Sequence, residues 1–203
     1  QGAIHAESIG GFAKLTTKSG DIQARKLDAG AEVISQSGDI HVAQVNGALL
    51  TLKSVSGDIA LDQSISGGCQ ELIIETISGD VNIQDAEGAV EVKSTSGDIS
   101  VVLKQSDQIL ANTMSGDVDF TIKSRFSGTA SVQTMSGNVV GSVLPDSSFR
   151  FSLESLSGEL ECDPAFPQET HKRTLMNGRA GAGDGDVRLI SRSGDIRIRS
   201  SAG

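Results

Sequence analysis

The tetrapeptide Ser-Gly-acidic-aliphatic recurs along the whole chain, and its spacing constrains the fold more than any other feature. Its glycines are Gly20, Gly38, Gly57, Gly79, Gly97, Gly116, Gly137, Gly158 and Gly194, each preceded by Ser. Successive intervals are 18, 19, 22, 18, 19, 21, 21 and 36 residues, the last being about two ordinary repeats. Self-similarity at such a period marks a solenoid or array, in which each unit buries its apolar face only against its neighbours.

Aligned on the glycine, the repeats share their columns. Two residues after it stand Ile22, Ile40, Ile59, Val81, Ile99, Val118, Val139, Leu160 and Ile196. Five before it stand Leu15, Val33, Leu52, Ile74, Val92, Ala111, Val132, Leu153 and Leu189, and the column seven before, from Ala13 to Val187, is also apolar. Three before it the residue is always Ser or Thr, and the columns four and six before are mostly polar or charged. Period-two alternation of this kind reads as strands with one face buried. A strand, a Gly turn and a second strand fill one coil of 18–22 residues. The sequence therefore predicts an all-β fold: one parallel β-solenoid of about ten coils across residues 1–203, with inner ladders of Ile, Val and Leu stacked at ~4.8 Å. Crossover rules favour right-handed coiling.

A further copy, Gly2-Ala3-Ile4-His5-Ala6, lies 18 residues before Gly20. The chain thus starts in the middle of a coil, without an initiator Met, so upstream sequence is expected to be missing from it. Residues 163–185 fill the long interval. With Pro164, Pro167 and the glycines around Ala180 and Ala182, they read as an irregular loop interrupting the penultimate coil.

Taken together, these repeats, with the closing segment Ser191-Arg192-Ser193-Gly194-Asp195-Ile196-Arg197-Ile198, resemble a bacterial adhesin-like family of β-strand-repeat domains of unknown function. The resemblance covers nearly the whole chain. Leu175-Met176-Asn177-Gly178 is also similar to that family's Asn-Gly-Gly segment, with Arg179 departing from it. The resemblance implies a β-solenoid, often attached to the cell envelope, and brings no catalytic residues.

Composition narrows the function. A formal net charge of -9 repels phosphate backbones, so nucleic acid is not an expected partner. The chain has six Phe and no Trp or Tyr, which removes most stacking platforms for bases and sugar rings. There is no apolar run near 18 residues. Catalysis has little support: His5, His41 and His171 are far apart, and no nucleophile stands beside a base. His5 and His41 share an outward column two coils apart. No enzyme activity and no cofactor are expected.

Three groups of residues are site candidates. The acidic row Asp21, Asp39, Asp58, Asp80, Asp98, Asp117, Asn138, Glu159 and Asp195 stacks at ~5 Å. It suits either divalent cations such as Ca²⁺ or turn chemistry, in which Gly supplies the backbone angles and Asp accepts an N–H. Asn138 keeps the acceptor without the charge and so favours turn chemistry. Arg188, Arg192, Arg197 and Arg199 are expected to form a basic patch at one end of the solenoid. The Ser and Thr rows are expected to close the turn as hydroxyl ladders, facing the core or the corner. Cys69 and Cys162 lie about five coils apart, roughly 24 Å, too far for a disulfide, so two unpaired thiols are expected. The reading is a non-enzymatic, envelope-associated or extracellular adhesin-like binding module or rigid spacer, whose partner is an envelope protein or glycan. The alternatives are a scaffold that self-associates by stacking its terminal coils, and a calcium-binding or polysaccharide-processing β-helix.

Overall fold

A corner that repeats with little change folds the chain into two facing sheets. The structure, a computed structural model, describes residues 2–63 and 69–201. The first sheet stacks β1 (Ile4–Ile9), β3 (Ile22–Leu27), β5 (Ile40–Val45), β7 (Ile59–Asp62), β9 (Val81–Glu87), β11 (Ile99–Gln105), β13 (Val118–Ile122) and β15 (Val139–Val143) in chain order. The second stacks β2 (Ala13–Thr17), β4 (Ala31–Ser37), β6 (Gly47–Ser56), β8 (Cys69–Ser78), β10 (Ala89–Ser96), β12 (Gln108–Ser115) and β14 (Thr129–Ser136). All these pairings are parallel. The predicted parallel β-solenoid is therefore the fold. Each coil contributes one strand to each sheet, and the Ser-Gly-Asp turn joins them on one side.

The core is one continuous apolar slab between the sheets. Val33, Leu52, Ile74, Val92 and Val132 from the second sheet face inward with Ile22, Ile40, Ile59, Val81 and Ile99 from the first, all fully buried. Each such aliphatic contributes roughly 1.5–3 kcal/mol by leaving water. Strict alternation fails at one place. Ser8, Lys26, Gln44 and Asp85, each six residues after a repeat glycine, have φ of 54–58°. This left-handed residue reverses the parity of the strand end and turns Leu27, Val45 and Ala86 into the core.

Chain order breaks after β15. The next strands, β16 (Phe149–Ser157) and β17 (Leu160–Cys162), leave one coil position vacant beside β14 and β15. The chain then forms β18 (Gln168–Lys172) and β19 (Leu175–Ala180) and returns as β20 (Gly185–Ser193) and β21 (Ile196–Ser200) to fill that position. β20 pairs in parallel with β14 on one side and β16 on the other, and β21 likewise lies between β15 and β17. The C-terminal repeat is thus an interior coil. Its columns match both neighbours: Val187 lies between Ala130 and Phe151, and Leu189 between Val132 and Leu153.

This arrangement corrects the expectation of an irregular loop at residues 163–185. Much of that segment is a cap. β19 runs antiparallel to β16, and β18 antiparallel to β19, so the hairpin covers the edge that β16 would expose. Phe166, 1 % exposed, closes the end of the core with its ring 5.5 Å from that of Phe149, and Phe126 lies 6.3 Å from Phe149. Gly178 lies against Phe151: a Cβ there would sit 2.3 Å from the ring. Asp163 ties the cap to β21 by accepting from the Ala165 amide at 2.8 Å and from the Ser200 hydroxyl at 2.9 Å. These bonds, the Ala165 amide first, hold its carboxyl below the usual aspartate range. The buried Ser148 hydroxyl accepts from the amides of Ala182, Gly183 and Asp184 and donates to the Asp184 carboxylate at 2.8 Å, which pins the return loop.

Two outcomes follow from this topology. In native-state hydrogen exchange, the amides of β20 and β21 should fall in the slowest class with β14, because a strand with neighbours on both sides opens only when the stack does. A terminal coil, as chain order alone would place it, would exchange early by fraying. Second, a Cβ at Gly141 would meet the buried Phe120 ring at 2.5 Å. Gly141→Ala should therefore cost about 1–3 kcal/mol in denaturant unfolding, and Phe120→Leu in the same chain should recover much of that loss.

Candidate functional site

The Ser-Gly-Asp corner pairs its backbone amides between coils, and this governs what remains free on its surface. Gly97 shows the constraint. Its φ is 123°, and a Cβ would lie 2.2 Å from the Gly79 carbonyl oxygen of the preceding coil. Only glycine fits both the angle and the contact. The Gly97 amide donates to the Ser115 carbonyl of the following coil at 3.1 Å, and the Ile99 amide to the Asp117 carbonyl at 2.9 Å. The Asp98 amide between them points the other way. It donates to Oδ1 of Asp80 at 2.8 Å, and Oδ1 of Asp98 in turn accepts from the Asp117 amide at 2.8 Å.

The same bond joins Asp21 to Asp39, Asp39 to Asp58, and Asp58 to Asp80. At the far end it passes from Asp117 to Asn138, then to Asp195, then to Glu159. From Asp21 to Asp195 each aspartate side chain therefore fills a backbone role between coils, Asn138 performs it without a charge, and Glu159 ends the series as a donor. The last links also record the inserted coil, since Asp195 lies between Asn138 and Glu159. Among the described residues no three His, Cys, Asp or Glu side chains form a group able to hold a metal.

Where the inner Ser/Thr row makes hydrogen bonds it bonds to backbone rather than to itself, and the buried hydroxyls of Ser54 and Thr76 make none. Ser35 donates to the Gly38 carbonyl at 3.1 Å, Ser155 to that of Gly194 and Ser191 to that of Gly137, both at 2.9 Å. Ser94 and Thr113 each donate at 3.2 Å to the carbonyl of the Ser two residues on. The Ser row next to the glycine is outward and exposed from Ser37 to Ser193. The expectation of two hydroxyl ladders is corrected accordingly: only the inner row closes the corner, and it does so through carbonyl oxygens.

The arginines do not form an end patch. Arg188 and Arg192 lie on β20 and Arg197 and Arg199 on β21, so they project from opposite sheets, in a coil that is not terminal. Arg188 pairs with Glu154 at 3.5 Å, and Arg197 pairs with Glu161, whose hydrogen bond raises the guanidinium pKa further. Arg199 opposes the effect of burial on Asp119, whose pKa is raised by desolvation. His5, Gln23 and His41 stack in one outward column as expected, and His171 lies on β18. Cys162 is a free, half-buried thiol packed against the core. Burial, with the Asp163 charge, pushes its pKa up to about 11, so it is a poor nucleophile at neutral pH. The Cys69 side chain lies outside the described residues.

One surface feature escaped the column analysis. Two residues before the glycine, at the outer rim of the second sheet, Val55, Ile77, Met114, Met135 and Leu156 are 44–72 % exposed. They occupy the same column in coil after coil, with Thr95 and Arg192 interspersed. The residues are visible in the sequence, but parity alone marks the column only as outward, and the apolar bias has meaning only once the corner is known to leave it in water. The ridge thus carries three parallel rows: apolar, serine hydroxyl and carboxylate.

A family model described as Toastrack DUF4097 matches residues 13–143 and 124–199. The chain belongs to the Toastrack DUF4097 family. This is a family of β-repeat domains of unknown function, and its β-solenoids are generally non-catalytic. The matched residues run through the inserted coil and the cap. No curated protein and no solved structure matches the chain.

The corner chemistry separates charge from hydrogen bonding. Asp98→Ala should lower stability by about 1 kcal/mol, because the Asp117 amide loses its acceptor. Asp98→Asn should lie within about 0.5 kcal/mol of the parent or gain slightly, since it keeps the acceptor and removes one of a row of like charges. Urea unfolding of both variants checks this.

Proposed function

We propose that this chain is a non-enzymatic binding module, an adhesin-like solenoid of the bacterial cell envelope or extracellular space, that presents its repeated outer rows to an envelope protein or glycan. The observation that carries this reading is the exposed column from Val55 to Leu156. Large apolar side chains exposed in one column of an otherwise well-patterned fold, with Thr95 and Arg192 between them, mark an interaction site. The rigid stack holds that column in register over most of the molecule. The likeness of the repeats to envelope-attached domains supports the location.

A catalytic role has less support. The groups whose pKa is displaced are Lys93, Asp119, Cys162, Asp163 and Arg197. Only the adjacent Cys162 and Asp163 share a cause, and there the Asp163 charge raises the thiol pKa, the opposite of what activates a nucleophile. Growth into fibres by stacking of coils is also disfavoured, because the β18–β19 hairpin and Phe166 close one end. The outer edges of β1 and β2 carry no paired strand among the described residues.

The test combines sedimentation with capture. The 203-residue chain should remain small and of constant mass as concentration rises. Immobilised, it should retain a partner from bacterial envelope or secreted extracts, saturably and in competition with the free chain. Concentration-dependent fibres, or turnover of a polysaccharide, would overturn the reading.

A further inference from the structure

The ridge beside the Ser-Gly-Asp corner has a chemistry that selects among partners. In four successive coils Val55, Ile77, Thr95 and Met114 stand three residues before Asp58, Asp80, Asp98 and Asp117, with Ser56, Ser78, Ser96 and Ser115 between them. The apolar side chains are exposed, Ile77 by 54 % and Met114 by 55 %. Oδ1 of each Asp is engaged by a backbone amide, yet the charge itself is not neutralised. Among the described residues no Lys or Arg forms an ion pair with this row. The neighbouring lysines are occupied: Lys53 pairs with Glu75 at 2.7 Å, and Lys93 with Glu91. The strip is therefore apolar along one side and negative along the other.

We propose that this strip docks a basic amphipathic α-helix of a partner polypeptide, laid along the solenoid axis with its apolar face on the Val55–Ile77–Met114–Met135 row and its Lys/Arg flank over the Asp58–Asp117 row. This rests on the binding-module reading and names the partner class.

Three properties of the strip select the occupant. The first is charge. A second copy of this chain would bring two carboxylate rows together on a molecule of net charge -9. An anionic membrane surface would be repelled by the same row. A basic segment is attracted instead. The second is pitch. Coils repeat at ~4.8 Å, close to the 5.4 Å turn of an α-helix, so side chains one turn apart meet successive coils, whereas an extended strand presents one face every ~6.8 Å. The third is length. Val55 to Leu156 spans six coil steps in the observed stacking order, including the inserted coil with Arg192. That is ~29 Å, the length of a helix of about 20 residues.

The probe is a 20-residue synthetic peptide of Leu and Lys with Leu at a helical 3.6-residue period. Its controls are the Leu/Glu counterpart and a Leu/Lys peptide of the same composition with the period scrambled. Fluorescence anisotropy with the full chain should show saturable binding of the periodic Leu/Lys peptide only, weakening at least tenfold as salt rises from about 50 to 500 mM. Ile77→Ser with Met114→Ser should weaken it at least tenfold. Asp80→Asn with Asp98→Asn should weaken it and flatten its salt dependence, while circular dichroism and unfolding stay as in the parent, because Asn keeps the corner acceptor as Asn138 does.

Equal binding of the scrambled peptide, or binding unmoved by both double variants, would overturn the proposal. So would ridge-dependent dimerisation in sedimentation, or ridge-dependent binding to vesicles containing phosphatidylglycerol. A saturable partner captured from extracts equally well by parent and ridge variants would sink the helix strip and leave the binding module standing. Fibres or polysaccharide turnover would sink both.

Discussion

The hydrogen bond from each Asp amide to the carboxylate oxygen of the coil before it is the constraint on which the rest depends. At the corner the Gly and Ile amides donate forward to the next coil, while the intervening Asp amide points back, where no strand carbonyl receives it. That bond lies at an exposed edge, and leaving the amide without it would cost about 0.5–1.5 kcal/mol at every coil. The side chain of the preceding Asp removes that cost, and glycine removes the steric one. With the corner closed in this way, both strands of each coil keep fixed register. The aliphatic columns then fall into line without further instruction. Variation in repeat length is confined to the opposite corner: the seven residues leading to each glycine and the two after it keep their pattern throughout.

A fixed corner also allows a coil to be filled out of order. The columns of β20 and β21 match any neighbour, because every coil presents the same inward positions. What decides the order is the end of the stack. β16 carries Phe149 and Phe151, which need Phe126, Phe166 and Gly178 around them. An aromatic cluster of that size suits the end of the slab, where the β18–β19 hairpin folds over it. The last repeat then enters the vacant position, and its Ser148-pinned return loop and the Asp163–Ser200 bond hold it there. The two ends of the solenoid therefore differ, which shapes what the molecule can associate with.

Function in such a molecule lies on its outer rows rather than in a cleft. The corner requires an acceptor at the acidic position and not its charge, since Asn138 serves without one. The apolar row is not required by the fold: the same column accommodates Lys18, Gln36, Thr95 and Arg192. The exposed Val, Ile, Met and Leu there contribute little to the core and keep large apolar area in water. Their exposure beside a carboxylate row that no described Lys or Arg pairs with is the reason to read the ridge as a contact surface.

The sequence by itself determined the fold class, the repeat unit, the inward columns and the corner chemistry. Period-two alternation and the invariant Ser-Gly pair admit one local geometry, and Asn138 already shows that the acidic position works as an acceptor. It also determined the outward stacking of His5 and His41. Tertiary structure alone decided the order of the final coils, because identical columns carry no information about which neighbour they meet. It turned residues 163–185 from an expected loop into a cap, since β18 is polar throughout and β19 turns Met176, Gly178 and Ala180 inward, not the Ile, Val and Leu that mark the other strands. It dispersed Arg188, Arg192, Arg197 and Arg199 over two faces, because closeness in sequence across a corner means opposite sheets in space. And it exposed the row from Val55 to Leu156, because only the bend of the chain at the glycine determines which outward column reaches the rim.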